Sequence, residues 1–229
     1  MILYAATSNP GKLAEFATSA SSAGIDVLAL PNLKDIPEPV EDAPTFQGNA
    51  DLKARAYSLT LPGQLAFADD SGLEVSALDG APGVRSARFA DDYAFEYPNS
   101  SVISTEAASQ TVVISTEAQR SGETPVFLGS KDYRNNAYLL DLMQRHTSRR
   151  ARFICTLALA RDGEILLRAE GFVEGDLLHA PRGEGGFGYD PLFFLPALGL
   201  TMAELSRERK WQLSHRGNAF RSLLAQIAR

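Results

Sequence analysis

An α/β fold with one long mixed sheet is predicted by three features of this chain. Short apolar runs alternate with helix-spaced segments in its first third, two β-rich runs flank a tight turn after position 150, and an amphipathic helix closes it. At 229 residues with 45% hydrophobic content, the chain can bury a large core as one big domain or two closely joined lobes.

Met1 to Ala6 reads as a short buried strand, followed by the polar turn Thr7-Ser8-Asn9-Pro10-Gly11. From Lys12 to Ala23, Leu13, Phe16 and Ala20 fall on one side of a helix that Gly24 stops. A strand leading through a turn into a helix is a ready anion site, with free backbone N–H groups and the positive end of the helix dipole at the turn. Ile25 to Leu30 reads as a second strand. The acidic, proline-rich connection Pro37 to Pro44 then leads to a helix from about Thr45 to Ser58. Leu65 to Ala68 reads as the strand that presents Asp69-Asp70, with a Ser71-Gly72 turn and a continuation over Leu73 to Ala77.

Arg152 to Ala160 and Ile165 to Val173 form the clearest hairpin, joined by Arg161-Asp162-Gly163-Glu164. The glycine-rich stretch Gly183 to Asp190 is a loop. Thr201 to His215 reads as one helix or two short ones, and Asn218 to Ala228 as the last helix. One segment stands apart: Val102-Ile103-Ser104-Thr105-Glu106-Ala107 recurs as Val113-Ile114-Ser115-Thr116-Glu117-Ala118 in a Ser/Thr-rich tract. Two copies are too few for a solenoid, so an insertion over about 91–131 is expected, polar enough to stay mobile or form a surface hairpin.

Bulk charge excludes some partners. With 22 Lys and Arg against 28 Asp and Glu, the net charge is −6, and no cationic excess is present to neutralise a nucleic-acid backbone. No apolar stretch reaches membrane-spanning length and no signal-type segment opens the chain, which predicts a cytoplasmic protein. The single cysteine, Cys155, sits in an apolar run and reads as a small core residue.

Four clusters carry candidate chemistry. Thr7, Ser8, Asn9, Pro10, Gly11 and Lys12 surround a helix start with hydroxyls, an amide and a lysine, a set suited to phosphate, though without P-loop spacing. Asp69 and Asp70 are adjacent carboxylates that need a cation, hydrogen bonds or a raised pKa to coexist, and Glu41 is a third carboxylate from the acidic connection. Such hard oxygen donors suit Mg²⁺. Gly185 to Asp190 offers glycines for close approach and the aromatics Phe187 and Tyr189 for stacking. Lys210 with Ser214-His215-Arg216 concentrates hydrogen-bond donors. A phosphate site, a metal site, a stacking face and base-edge donors together describe a nucleoside triphosphate pocket.

These motifs, in this order, resemble the signatures of the inosine triphosphate pyrophosphatase family: Thr7 to Lys12, Ala68-Asp69-Asp70-Ser71-Gly72-Leu73 continuing to Gly80-Ala81-Pro82-Gly83 and Ser86-Ala87-Arg88, Gly186 to Pro191, and Ser214-His215-Arg216-Gly217. The resemblance covers nearly the whole chain outside the repeat-bearing segment. It implies a single two-lobed domain over 1–229 with an active-site cleft between the lobes, a homodimer, and Mg²⁺-dependent hydrolysis of ITP, dITP and XTP to monophosphate and pyrophosphate.

The same resemblance implies roles for individual residues. Thr7, Ser8, Asn9, Pro10, Gly11 and Lys12 would hold the triphosphate, and Ser71 would donate to it. Glu41 and Asp70 would bind Mg²⁺, with Asp70 also orienting or deprotonating the attacking water. Lys53, on the helix after Asn49, would be an additional catalytic lysine. Asp69 is expected to shape its turn. Phe187 would stack on the base, in a loop with Gly188 and Tyr189, while Asp190, Lys210, His215 and Arg216 hold its edges and the sugar. Two rivals are a Maf-type nucleotide pyrophosphatase, whose Ser-Pro-Arg-Arg element is absent from Asn9-Pro10-Gly11-Lys12, and a catalytically silent nucleotide-binding protein.

Overall fold

The computed structural model describes residues 1–21, 23–96 and 130–228; both six-residue repeats and most of the expected insertion lie outside them. Its strands, β1 (Ile2–Ala5), β2 (Asp26–Ala29), β3 (Ala66–Val75), β4 (Arg150–Arg161), β5 (Glu164–Leu177), β6 (Phe193–Leu195) and β7 (Leu200–Thr201), form one seven-stranded sheet in the order β2-β1-β3-β4-β5-β6-β7. The α/β class with a mixed sheet is therefore confirmed. The chain divides into two compact units: unit 1 takes Met1–Glu74, Arg152–Glu174 and Leu205–Arg229, and unit 2 takes Val75–Ala151 and Gly175–Glu204.

Unit 1 begins with β1 (Ile2–Ala5), α1 (Pro10–Ser21) and β2 (Asp26–Ala29). β1 pairs in parallel with both β2 and β3 (Ala66–Val75), with Leu3 opposite Val27 and Tyr4 opposite Ala66. Parallel neighbours need a crossover, and α1 and α2 (Phe46–Ser58) supply them. Leu13, Phe16, Ala17 and Ala20 recur at i, i+3, i+4 and i+7, so α1 lays one apolar stripe on the sheet. The Phe16 ring meets Phe67 edge-on at 5.1 Å and Phe220 at 4.8 Å, which fixes the core under the Thr7–Lys12 turn.

β3 corrects the expected Ser71-Gly72 turn: ten residues from Ala66 to Val75 run as one strand through Asp69, Asp70, Ser71 and Gly72. β1 pairs with β3 at Ala66 and Phe67, and β4 (Arg150–Arg161) neighbours β3 on its other side, so the strand set up by these partners continues through Ser and Gly despite their turn preference. α2 begins where expected, with Thr45 Oγ1 accepting from the Gly48 N–H at 3.1 Å. Its Ala50 and Ala54 pack on Ala68, Ala158 and Ala160, small side chains that bring the helix close to the sheet. That approach delivers Asn49 and Lys53, one turn apart on α2, to Asp70.

The hairpin of β4 and β5 (Glu164–Leu177) is as predicted but longer. Asp162 and Gly163 both have positive φ, 52° and 82°, the handedness that matches strand twist in a two-residue turn. After α5 (Arg207–Leu213), Ser214 caps α6 (His215–Ile227) by accepting from Gly217 N at 3.1 Å. The last helix thus starts three residues earlier than predicted, and His215 and Arg216 sit in its first turn.

In unit 2, α3 (Phe89–Glu96) and α4 (Lys131–Leu142) occupy the two ends of the expected insertion. Asn135 on α4 is buried, accepts from Ala90 N and donates to the Ser86 and Ala87 carbonyls, which pins α4 to the chain before α3. β6 (Phe193–Leu195) pairs antiparallel with β5 and with β7 (Leu200–Thr201). The predicted helical stretch from Thr201 is corrected at its start: Thr201 ends β7, a short 3₁₀ turn covers Met202–Glu204, and only Arg207–Leu213 is α-helical.

Candidate active site

The turn after β1 is organised by Asn9. Its Oδ1 accepts from the N–H groups of Gly11 at 2.9 Å and Lys12 at 3.1 Å, and its own N–H donates to Thr7 Oγ1 at 3.2 Å. Pro10 opens α1 and has no N–H. The expectation of free backbone donors at this helix start is therefore corrected: Asn9 takes those of Gly11 and Lys12. Hydroxyls of Thr7 and Ser8, the Asn9 amide nitrogen and the Lys12 ammonium are the donors the turn presents. A cavity of about 400 Å³ in unit 1 is lined by Thr7, Ser8, Lys12, Glu41, Lys53 and Asp69.

Two ion-pair centres stand on β3, side by side. Asp69 is the hub of the first: Lys12 Nζ lies 3.0 Å and Arg216 Nε 3.5 Å from its Oδ2. Burial pushes the Asp69 carboxyl up, but Lys12, Arg216 and Lys53 outweigh it and hold the group well below the ordinary carboxylate range. Asp69 is thus not a turn-shaping residue; it ties the phosphate-type turn to the first turn of α6. Arg216 also donates to Ser71 Oγ at 3.1 Å, which leaves the Ser71 hydroxyl proton available to a ligand.

Asp70 centres the second. Lys53 Nζ donates to its Oδ1 at 3.3 Å and to Glu41 Oε2 at 2.9 Å, while Asn49 Nδ2 donates to Asp70 Oδ2 at 3.2 Å. Burial raises the Asp70 pKa more than Lys53 and Asn49 lower it, so this carboxyl is the more basic of the adjacent pair. Burial lowers the pKa of Lys53, but Asp70, Asp69 and Glu41 outweigh it, and the ammonium stays charged. Two neighbouring carboxylates driven in opposite directions are suited to separate roles: Asp69 is held as the counter-charge of Lys12 and Arg216, and Asp70 is the more basic of the two.

Glu41 and Asp70 share one ammonium, so they face a common point that already holds a positive charge. Among the described residues no group of three His, Cys, Asp or Glu is placed to hold a metal. Two carboxylates, with the other positions left to water and phosphate oxygens, is the habit of Mg²⁺.

His215 is buried, its ring stacked on Phe153 at 4.9 Å, and its Nδ1 has no hydrogen-bond partner among the described residues. Burial, then Arg216, Lys210 and Lys12, hold its pKa well below the usual value, so it is neutral. Lys210 is half-buried on α5. Unit 1 therefore holds Thr7 to Lys12, Glu41, Lys53, Asp70, Ser71, Lys210, His215 and Arg216.

Phe187, Gly188, Tyr189 and Asp190 belong to unit 2. Phe187 is half-exposed, as a stacking platform requires. Its loop is rigidly held: Asp190 Oδ2 accepts from Phe187 N at 2.8 Å, and Gly188 N donates to Asp132 Oδ2 at 2.7 Å. Gly188 O accepts from Asn136 Nδ2 at 2.8 Å. Tyr189 is buried and its hydroxyl donates to the Ser86 carbonyl at 2.9 Å, so it supports the loop. Sequence reading did not assign Asn49, Asp132 or Asn136; each is a neutral or acidic helix residue with no motif around it. Cys155 is fully buried with its thiol pushed up to about 12 by burial first, as expected of an inert core residue.

The model of the Ham1 family matches residues 3–112 and 119–226. The chain belongs to the Ham1 family. A protein of Acidobacterium capsulatum named dITP/XTP pyrophosphatase is 46% identical over 227 residues, covering 99% of this chain and 98% of that protein. A protein of the same name from Exiguobacterium is 41% identical, with 99% and 97% covered. Among solved structures, the Ham1 protein of Staphylococcus aureus superposes with a TM-score of 0.74 at 32% identity, covering 100% of this chain and 98% of that one. The Ham1 protein of Coxiella burnetii gives 0.75 at 30% identity with the same coverage. The family resemblance drawn from the motifs is thereby borne out for this Ham1-family chain.

Proposed function

We propose that this chain hydrolyses non-canonical purine nucleoside triphosphates, dITP, ITP and XTP, to the monophosphate and pyrophosphate. The observation that carries the reading is the pair of buried centres on β3: a charge-compensated Asp69 beside a more basic Asp70, next to a cavity lined by Thr7, Ser8 and Lys12. Full-length relatives that bear the name dITP/XTP pyrophosphatase support it.

Thr7, Ser8, Asn9 and Lys12 bind the phosphate chain, with Ser71 donating to it. Asp70 accepts a proton from a water that attacks the α-phosphorus, and the bond from that phosphorus to the bridging oxygen breaks, releasing pyrophosphate. Lys53 balances charge and orients Asp70. Glu41 and Asp70 are the residues that would hold Mg²⁺, which supplies charge neutralisation at the phosphates. Phe187 offers its ring face to the base. A neutral His215 with Lys210 and Arg216 provides donors that suit a 6-oxo purine and leave a 6-amino purine facing a donor, a mismatch that separates adenine from hypoxanthine and xanthine by orders of magnitude; guanine shares the 6-oxo group, so its rejection rests on its 2-amino group. The reading includes a homodimer and a cytoplasmic location.

The test is pyrophosphate release with Mg²⁺ from dITP, ITP and XTP against dATP, dGTP and dTTP. At least a hundredfold preference in kcat/KM for the first three supports the assignment, whereas equal turnover of all six overturns it. No release from any of them by folded protein would favour a silent nucleotide-binding role.

A further inference from the structure

Asn49 is the polar residue of this site that no motif announced, and its surroundings are unusually specific. The residue is 1% exposed, at the end of the first turn of α2. Oδ1 accepts from the Ala43 N–H at 3.0 Å, and Nδ2 donates to Asp70 Oδ2 at 3.2 Å. The orientation of the amide follows from chemistry, since the Ala43 N–H can only donate and must face the oxygen. Ala43 lies two residues after Glu41 on the acidic connection.

We infer that Asn49 is a positioning residue that sets the spacing and orientation of Glu41 and Asp70 by holding the Glu41-bearing segment with one arm and the Asp70 carboxylate with the other. This rests on the proposed pyrophosphatase reading, in which those two carboxylates take the cation. The residue type suits the task. Lys53 also bridges Glu41 and Asp70, but it does so with a positive charge that competes with an incoming cation. A neutral amide keeps its grip on both segments when a cation arrives. Because Asn49 takes Oδ2 of Asp70 and Lys53 takes Oδ1, the carboxylate plane is fixed from both ends.

Three variants decide the matter. Asn49→Ala removes both arms. Asn49→Asp keeps the acceptor for Ala43 N with nearly the same shape but sets an ionised oxygen against Asp70. Ser58→Ala removes a buried hydroxyl at the far end of the same helix, where it accepts from Gly163 N, and serves as a stability control away from the site. Binding of Mn²⁺ alone is followed by electron paramagnetic resonance, and turnover of dITP with Mg²⁺ is measured alongside. The expected result is about a tenfold weaker Mn²⁺ affinity in Asn49→Ala, unchanged in Ser58→Ala, and a smaller loss when Asn49→Ala is added to Asp70→Asn than when it is made alone, since only the Ala43 arm then remains to be lost. Asn49→Asp should lose kcat about a hundredfold with the KM for dITP within twofold, because Asn49 touches no substrate. Mn²⁺ affinity in Asn49→Ala equal to that of Ser58→Ala, or wild-type kcat in Asn49→Asp, overturns the inference. Should Asn49→Ala not fold, the Asn49→Asp measurements decide alone. Should the wild type fail to hydrolyse dITP, the functional reading falls while the Mn²⁺ comparison still judges Asn49.

Discussion

Two adjacent aspartates on one strand take opposite electrostatic parts because alternate residues of a strand face opposite sides. Asp69 reaches Lys12 and Arg216, and Asp70 reaches Lys53 and Asn49. Asp70→Asn should keep the fold and lower kcat by about 10²–10⁴-fold, the range for removing a general base, measured by pyrophosphate release. Asp69→Ala should fail differently: with Arg216 and Lys12 left uncompensated, stability should fall by about 3–5 kcal/mol in chemical denaturation. His215 makes a pH prediction. Its folded pKa lies below the ordinary 6.5, so below that pH the unfolded chain binds a proton that the folded chain refuses. Stability should therefore drop as pH falls below about 6.5, and His215→Phe should flatten that slope in a melting-temperature series. At this scale the adjacent carboxylates, Lys12 and His215 were legible from residue type and order. Their partners were not, because Asp69 and Arg216 lie far apart in sequence and meet only through folding.

Among the elements, β3 shows how a local reading fails. Ser71 and Gly72 carry turn preferences, yet they lie within one strand whose neighbours in the sheet are β1 and β4. α2 shows the reverse, since Thr45, Ala50 and Ala54 are local signals that agree with the tertiary outcome. Thr45→Ala should cost about 1 kcal/mol in denaturant unfolding, the usual worth of a helix cap. The joint between β5 and α6 is tighter. A Cβ on Gly171 would run into the backbone of Ala219 and His215, so neither rotamer change nor side-chain motion can relieve it. Gly171→Ala should destabilise by more than about 3 kcal/mol and should also weaken dITP binding, since the displaced helix carries His215 and Arg216. Sequence reading placed Gly171 within a strand but had no means of knowing that a helix backbone passes there.

Across the whole molecule, each unit is assembled from distant pieces: unit 1 from three chain segments and unit 2 from two. β3, β4 and β5 each contribute residues to both units without interruption. Neither unit can be cut out as a continuous stretch, and the chain should unfold in one transition. Fluorescence of the single tryptophan, Trp211 in unit 1, and far-UV circular dichroism should give the same denaturant midpoint; separate midpoints would show that the units unfold independently.

The amino-acid sequence by itself determined the α/β class, the order of most elements, the family and the residue types of the site, because apolar periodicity, turn residues and short motifs are local properties of a chain. Tertiary structure alone decided that β3 runs straight through Ser71-Gly72, that Asp69 is paired with Lys12 and Arg216 while Asp70 is the more basic carboxyl, and that Asn49 joins Asp70 to the segment bearing Glu41. Those outcomes depend on which buried charges and hydrogen-bonding groups meet, and burial makes each such meeting worth more than any local preference.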